Sequence, residues 1–180
     1  MTAEATGEVI VVSGLPGAGK TTLAAALARH FDKSVHLEAD LLQKMIVRGG
    51  VWPGEEPIAQ GFEQLALRGR NICSLADAFC HEGFTAIVDD VVIGDRFDEF
   101  TAHLATRPFY FILLLPSLET LRQRNLARGK DAFYQSEALY EVAQQTPRHG
   151  MRLDNSSETA QQTCNTILSR YRNEARVMAP

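Results

Sequence analysis

The sequence predicts an α/β fold built on a mainly parallel β-sheet. Short apolar runs alternate with helical patterns along the chain, and the first apolar run leads through a glycine-rich turn into a helix. No repeat, linker or low-complexity segment interrupts the 180 residues. A chain of this length, with 45% hydrophobic residues, is expected to form one domain, residues 1–180, around one core.

The strands are predicted from short runs of apolar and β-branched residues. The run from Val9 to Val12 is wholly apolar and is followed by Ser13 and Gly14, which is typical of a central strand buried on both faces. The longest apolar run begins at Phe109 and is closed by Pro116. The predicted strands are residues 9–12, 35–37, 85–88, 109–115 and 151–153.

The helices are predicted from apolar residues that recur every three or four positions. The longest is residues 58–82, with Gly83 after it. Its apolar stripe consists of Phe62, Leu65, Gly69, Ile72, Ala76 and Phe79. The other predicted helices are residues 20–31, 41–47, 97–104, 118–128, 136–145 and 157–172. Residues 49–57 are rich in Gly and Pro and are predicted to form turns.

The composition argues against several classes of protein. With 18 Lys and Arg against 22 Asp and Glu, the net charge of −4 does not suit a protein that coats duplex DNA. The cysteines Cys73, Cys80 and Cys164 lack the spacing of a zinc site or a disulfide framework, so we expect reduced thiols. No apolar run has the length of a membrane span or of a secretory signal. We therefore expect a soluble, cytoplasmic protein without a membrane partner.

A phosphate-binding motif connects the first strand to the first helix. Residues 14–21, Gly-Leu-Pro-Gly-Ala-Gly-Lys-Thr, match G-x-x-x-x-G-K-[ST] in the required strand–loop–helix context. Glycines let the backbone aim its N–H groups at phosphate oxygens, and the helix dipole adds positive potential. Lys20 can reach the β- and γ-phosphates, and the Thr21 hydroxyl can ligate Mg²⁺. The predicted triphosphate-binding residues are Gly14, Gly17, Ala18, Gly19, Lys20, Thr21 and Thr22.

Three carboxylates follow predicted strands, at the edge of the sheet where ligands gather. Asp89 and Asp90 end the third strand, and we expect one of them to serve the magnesium ion while the other points elsewhere. Asp40 follows the second strand, where it could accept a proton from a hydroxyl that attacks the γ-phosphate. The alternative is that Asp40 only caps the next helix.

A basic cluster, Arg122, Arg124, Arg128 and Lys130, spans a predicted helix end and turn. Arg124 and Arg128 are four residues apart and share a helix face, so this pair could point at phosphates and act in catalysis. The alternative is a solvated basic surface.

The chain resembles the P-loop small-molecule kinases of the chloramphenicol phosphotransferase, gluconate kinase and shikimate kinase group. The segments that resemble them are residues 13–22, 37–40, 83–91, 122–130 and 153–156. The resemblance implies a three-layer P-loop NTPase fold with a five-stranded parallel sheet and a small Arg-rich lid, about residues 122–136. It also implies that Asn155 passes near the adenine, that Asp40 is the base, and that residues 49–57 shape the acceptor pocket.

These observations predict an ATP- and Mg²⁺-dependent phosphotransferase that acts on a hydroxyl of a small molecule, such as an antibiotic, a sugar or a related metabolite. One alternative is a nucleotide-dependent switch without catalysis. Another is a polynucleotide or nucleoside kinase, for which Arg68 and Arg70 on the long helix could line a strand channel, although helix arginines are often only solvated. The sequence does not predict the acceptor's identity or the oligomeric state.

Overall fold

One mixed β-sheet forms the centre of the computed structural model, which describes residues 7–127, 129, 137–146 and 149–178. The strands are β1 (Val9–Gly14), β2 (Ser34–Glu38), β3 (Thr85–Asp89), β4 (Phe109–Leu114), β5 (Met151–Leu153) and β6 (Arg176–Val177). The first five run parallel in the order β2-β3-β1-β4-β5, whereas β6 pairs antiparallel with β4. The predicted α/β fold class is confirmed.

The five predicted parallel strands are all present, and among the described residues the sheet has one further, antiparallel strand that was not predicted. The extra strand, β6, pairs Val177 with Phe109 at the beginning of β4, while β5 pairs Met151 with Ile112 further along the same edge. Two short strands therefore share one edge of β4. A strand of two residues is too short to produce a recognisable apolar period, so the sequence could not reveal it.

Helices flank the sheet. They are α1 (Lys20–Ala28), α2 (Ala39–Lys44), α3 (Ile58–His81), α4 (Arg96–His103), α5 (Leu118–Leu126), α6 (Glu137–Gln145) and α7 (Ala160–Glu174). The Ser117 hydroxyl caps α5 by accepting from the Thr120 N–H, and Thr159 with Gln162 forms a capping box at α7. α1 packs against α7 and β3, and α3 packs against β3 and α4.

The apolar residues of β1 and most of those of β4 are buried. β1 lies between β3 and β4 in the sheet, and helices cover it. Parallel pairing aligns the carboxyl ends of three strands: Val12 of β1 lies beside Asp89 of β3, and Asp89 lies beside Glu38 of β2. The phosphate-binding motif, the Asp89–Asp90 pair and the start of α2 consequently meet at one edge of the sheet.

Candidate active site

A cavity of about 730 Å³ opens at this edge. One side is the phosphate-binding motif, and its floor includes Asp89 and Asp90. Asp40 lines it from α2, and the turn segment 49–57, the first half of α3 and α6 supply further walls. The cavity thus brings together the motif and all three carboxylates that the sequence singled out.

The loop at residues 14–19, which we call the phosphate loop, is shaped by its glycines. Gly14, Gly17 and Gly19 have φ angles of 144°, 91° and 96°, a region that side chains disfavour. At Gly14 a Cβ would also lie 2.7 Å from the carbonyl oxygen of Leu114. Lys20 begins α1 immediately after the loop, and its Nζ donates to the carbonyl oxygen of Leu15 at 3.3 Å. The Thr21 and Thr22 side chains follow on the cavity side.

Two buried asparagines brace the phosphate loop from the side of β4 and β5. Asn125 donates from Nδ2 to the carbonyl oxygen of Pro16 at 2.8 Å, and Asn155 donates to that of Ala18 at 3.0 Å. Arg124 reinforces the brace by donating to the carbonyl oxygens of Ala18 at 3.4 Å and of Asn155 at 3.0 Å. With these carbonyl groups held on the outside, the loop can turn its N–H groups toward a ligand, except that of Ala18, which donates to the carbonyl oxygen of Leu15 at 3.0 Å.

Asn125 was missed by the sequence analysis. It lies four residues after Leu121 and is 1% exposed, so it occupies the buried face of α5. A polar side chain at the apolar spacing of a helix requires a hydrogen-bond partner in the interior, and this was the signal that could have revealed it. Asn155 was predicted to bind nucleotide, and in the structure its amide nitrogen donates to the loop itself.

Asp90 lies between two arginines that the sequence analysis did not place in the site. Arg68 of α3 contacts Asp90 Oδ1 at 2.8 Å, and Arg96 of α4 contacts Oδ2 at 3.2 Å. Arg96 also donates to the carbonyl oxygen of Val91. Asp90 and Arg68 are 3% and 5% exposed, so this is a buried ion pair.

The alternative that Arg68 is merely solvated was wrong, because its side chain is buried. Arg68 lies three residues after Leu65 and four before Ile72, on the buried face of α3. A buried arginine needs carboxylate partners because an unpaired charge in the interior is costly. Of the two arginines that the sequence singled out on α3, Arg68 and Arg70, only Arg70 is exposed.

Asp89 has a different environment. It is 3% exposed, and its Oδ2 has no hydrogen-bond partner among the described residues. The imidazole of His36 of β2 lies close to it, with Nε2 3.7 Å from that oxygen. Successive residues of a strand point to opposite sides, which explains why Asp90 reaches the arginines and Asp89 does not.

Asp40 is placed at the start of α2 but is not its N-cap. The N-cap is Glu38, which makes no side-chain capping bond, and Asp40 lies in the first turn. Its side chain is 49% exposed and contacts Arg68 at 3.3 Å. The capping alternative was therefore wrong, although a carboxylate in the first turn still favours the helix dipole.

The basic cluster on α5 is only partly described. Arg124 faces the phosphate loop, whereas Arg122 forms a 3.3 Å ion pair with Glu137 in which both side chains are well exposed. Arg128 and Lys130, and most of the expected lid at residues 122–136, lie outside the described residues.

The Asp90 ion pairs affect stability in a pH-dependent way. Burial alone raises the pKa of Asp90, but the charges of Arg96 and Arg68 and the N–H of Val91 outweigh it, so the pKa lies below its ordinary value of 3.8. A depressed carboxyl pKa stabilises the fold above the unfolded-state pKa, and this contribution is lost as the pH falls through the folded-state value.

Replacing Asp90 with Asn removes the buried anion of Arg96 and leaves Arg68 with only the half-exposed Asp40, and we expect it to lower the free energy of unfolding at pH 7 by about 3–5 kcal/mol. The difference in unfolding free energy from wild type should begin to shrink below pH 3.8, where Asp90 of the unfolded chain takes up a proton, and should disappear below the depressed folded-state pKa. Urea unfolding at pH 7, 5 and 3 measures this, with Asp32→Asn on the exposed surface as control. A difference in unfolding free energy of equal size at all three pH values would contradict the ion-pair interpretation.

A magnesium ion would have few protein ligands here. Among the described residues, no group of three or more His, Cys, Asp or Glu side chains is arranged to hold a metal. Mg²⁺ bound with a nucleotide needs only one or two protein oxygens, because phosphates and water supply the rest. The unpartnered Oδ2 of Asp89 and the hydroxyl of Thr21, both at the cavity, fit that requirement.

Comparison with known protein families agrees with this geometry. A family model described as an AAA domain matches residues 9–153, from β1 through β5. The chain belongs to this family. The match spans the phosphate loop and the three carboxylates of the AAA domain. No curated protein sequence matches the chain significantly.

Solved structures with the same fold include several kinases. A sugar kinase from Janibacter is 19% identical, with 91% of this chain and 93% of that chain covered and a TM-score of 0.62. The tunicamycin resistance protein of Deinococcus radiodurans is 16% identical, with 97% and 99% covered and a TM-score of 0.65. Shikimate kinase from Acinetobacter baumannii is 18% identical, with 93% and 94% covered and a TM-score of 0.62. The predicted resemblance to P-loop kinases is confirmed for this AAA domain at the level of the fold.

Among the described residues of the AAA domain, none of the helices combines the length and the apolar character needed to cross a bilayer.

Proposed function

We propose that the protein is an ATP- and Mg²⁺-dependent phosphotransferase that moves the γ-phosphate to a hydroxyl group of a small molecule. The observation that carries this proposal is the position of Asp40. It lines the same cavity as Lys20 and Thr21 and is also beside the apolar walls formed by Trp52 and Phe62. One cavity therefore offers a triphosphate site, a proton acceptor and room for a second substrate.

The triphosphate is bound by the phosphate loop in this proposal. The N–H groups of residues 14–22 surround the phosphates, and Lys20 moves from the Leu15 carbonyl oxygen to the β- and γ-phosphate oxygens. Asn125, Asn155 and Arg124 keep the loop in shape by holding its carbonyl groups. In this proposal Asn155 does not contact the nucleotide itself but holds the loop that binds it.

Thr21 and Asp89 are the residues that would hold the magnesium ion. Asp90 is the weaker of the two carboxylate candidates, because Arg68 and Arg96 already neutralise it. When bound, Mg²⁺ supplies positive charge to the phosphate oxygens that become more negative during transfer.

Asp40 accepts the proton of the attacking hydroxyl on its carboxylate. Its partial exposure keeps it available to the acceptor, while the 3.3 Å contact with Arg68 limits its orientation. Arg68 is in turn fixed by Asp90. The ion-pair network thus positions the base without touching the reacting atoms.

The proposal is tested by following the γ-phosphate. The protein is incubated with γ-labelled ATP, with and without Mg²⁺, together with pooled sugars, nucleosides and antibiotics or with a 5′-hydroxyl oligonucleotide. Mg²⁺-dependent label in a low-mass product other than orthophosphate is expected. Label in the oligonucleotide alone would replace the proposal with a polynucleotide kinase, and label in orthophosphate alone would favour a nucleotide-hydrolysing switch.

The proposed role of Arg124 predicts a loss of rate. Replacing it with Ala removes one hydrogen bond to the loop, one to Asn155, which braces the loop, and a cation near the triphosphate. We expect kcat to fall about 10²-fold with a smaller change in ATP affinity. Arg122→Ala on the same helix is the matched control, because its partner is the exposed Glu137. Steady-state kinetics and ATP-binding calorimetry measure both quantities, and equal rates in the two variants would remove Arg124 from the mechanism. Arg128 is proposed to act with Arg124.

A further inference from the structure

The acceptor end of the cavity is lined by apolar side chains that are not covered by other parts of the described chain. Phe62 is 55% exposed and Val142 is 40% exposed, although both belong to helices that pack against the core with their other faces. Trp52 and Leu65 are half-buried beside Phe62 along the same wall. Exposed apolar surface inside a concave site is typical of a pocket that binds apolar ligand groups.

This wall is held in a fixed position. Gln64 of α3 accepts from the N–H of Val51 at 2.8 Å and donates to the carbonyl oxygen of Gly49 at 2.6 Å. Gln43 of α2 donates to Gln64 and to the carbonyl oxygen of Val51. At Gly61, a Cβ would lie 2.7 Å from the carbonyl oxygen of Trp52, so only glycine permits this close packing. The turn segment is therefore tied to both helices.

The charges in the cavity do not favour an anionic acceptor. Among the described lining residues, five carboxylates face four cations. One of the cations, Lys20, belongs to the triphosphate site, and Arg68 and Arg96 are paired with Asp90. The fourth, Lys44, is a single exposed lysine at the end of α2. A carboxylate or phosphate on the acceptor would thus lie near a triphosphate and an excess of carboxylates, while both arginines are engaged by Asp90.

We propose that the acceptor is an alcohol whose hydroxyl is attached to an apolar body and which carries no carboxylate or phosphate group. Its apolar body packs on Trp52, Phe62 and Leu65, and its hydroxyl lies toward Asp40. This inference rests on the proposed phosphotransferase function and narrows its substrate class. A site that binds sugar acids or phosphorylated metabolites would need cations for the anionic group of the acceptor. The proposed acceptor has no such group.

The single tryptophan of the chain, Trp52, allows binding to be measured without catalysis. Protein loaded with Mg²⁺ and a non-hydrolysable ATP analogue is titrated with two matched pairs, methyl mandelate with mandelate and methyl shikimate with shikimate, and with glucose. We expect methyl mandelate to change the Trp52 fluorescence and to bind at least about tenfold more tightly than mandelate, because the acid adds an unpaired negative charge. Glucose, which lacks an apolar body, should produce no change.

A variant pair tests the wall itself. Phe62→Ala should weaken methyl mandelate binding about fivefold by removing apolar contact area. Leu67→Ala, on the same helix but outside the cavity lining and 42% exposed, should leave it unchanged. Both side chains are exposed, so neither change should prevent folding.

The proposal is overturned if the acid of either pair binds as tightly as its ester, if neither ester alters the fluorescence, or if Phe62→Ala binds like Leu67→Ala. Calorimetric binding of the ATP analogue to the same samples separates two kinds of failure. Normal nucleotide binding with a preference for the acids would reject only the substrate class, whereas absent nucleotide binding would reject the phosphotransferase function as well.

Discussion

Replacing Lys20 with Ala is expected to reduce phosphoryl transfer by about three orders of magnitude or more while the protein stays folded. Lys20 is the cation at the end of the phosphate loop, where it begins α1 and lines the cavity. Its ammonium group can bind phosphate oxygens there, and such a charge-assisted bond is strongest in the transition state. Removing it deletes that stabilisation and leaves the glycines and the buried core untouched.

Label transfer from γ-labelled ATP measures the rate, and thermal unfolding without nucleotide checks the fold. Lys33→Ala is the matched control, because its Nζ bonds the carbonyl oxygen of Glu82 on the surface, away from the cavity. ATP turnover in Lys20→Ala near the wild-type value would refute the assignment of residues 14–21 as a phosphate-binding motif that acts in catalysis.

The second large effect is expected at Asp40. Asn keeps the shape of the side chain but accepts no proton, so transfer to the acceptor should fall about 10²- to 10⁴-fold, with ATP binding little changed. Because Asp40 is not the N-cap of α2, its structural contribution is limited to the helix dipole and to the half-exposed contact with Arg68. The expected loss of stability is small, about 1 kcal/mol or less.

Asp98→Asn is the control, since Asp98 also lies in the first turn of a helix, α4, and is exposed. Transfer rate and melting temperature are measured on both variants. A wild-type rate in Asp40→Asn would exclude it as the base. A loose phosphoryl-transfer transition state demands little of a base, so an effect near the low end of the range would instead indicate that Asp40 mainly orients the hydroxyl.

The order of the main elements could be predicted from the sequence because each has a strong local signal. β1 and β4 are continuous apolar runs, and the long stripe of α3 repeats at helical spacing over 24 residues. The phosphate-binding motif was recognisable because backbone geometry restricts its residue types. β6 carries only two residues and depends on its pairing with β4, so it has no local signal.

The ion-pair network could not be predicted because it joins distant parts of the chain. Arg68 meets Asp90 across 22 residues and Asp40 across 28. A pattern in one segment does not reveal which carboxylate lies opposite a buried arginine. The sequence did show that Asp89 and Asp90 must point in different directions, and the structure shows which of them the arginines bind.

The asparagine brace on the phosphate loop has a consequence for protein synthesis. Asn125 and Asn155 contact Pro16 and Ala18 across 109 and 137 residues of chain. A nascent chain that has released only β1, α1 and β2 from the ribosome carries the whole nucleotide motif but lacks both amides that hold its carbonyl groups. Contacts of such long range form late, because loop closure is costly until the intervening segments are ordered. Nucleotide affinity should therefore arise only near the end of translation.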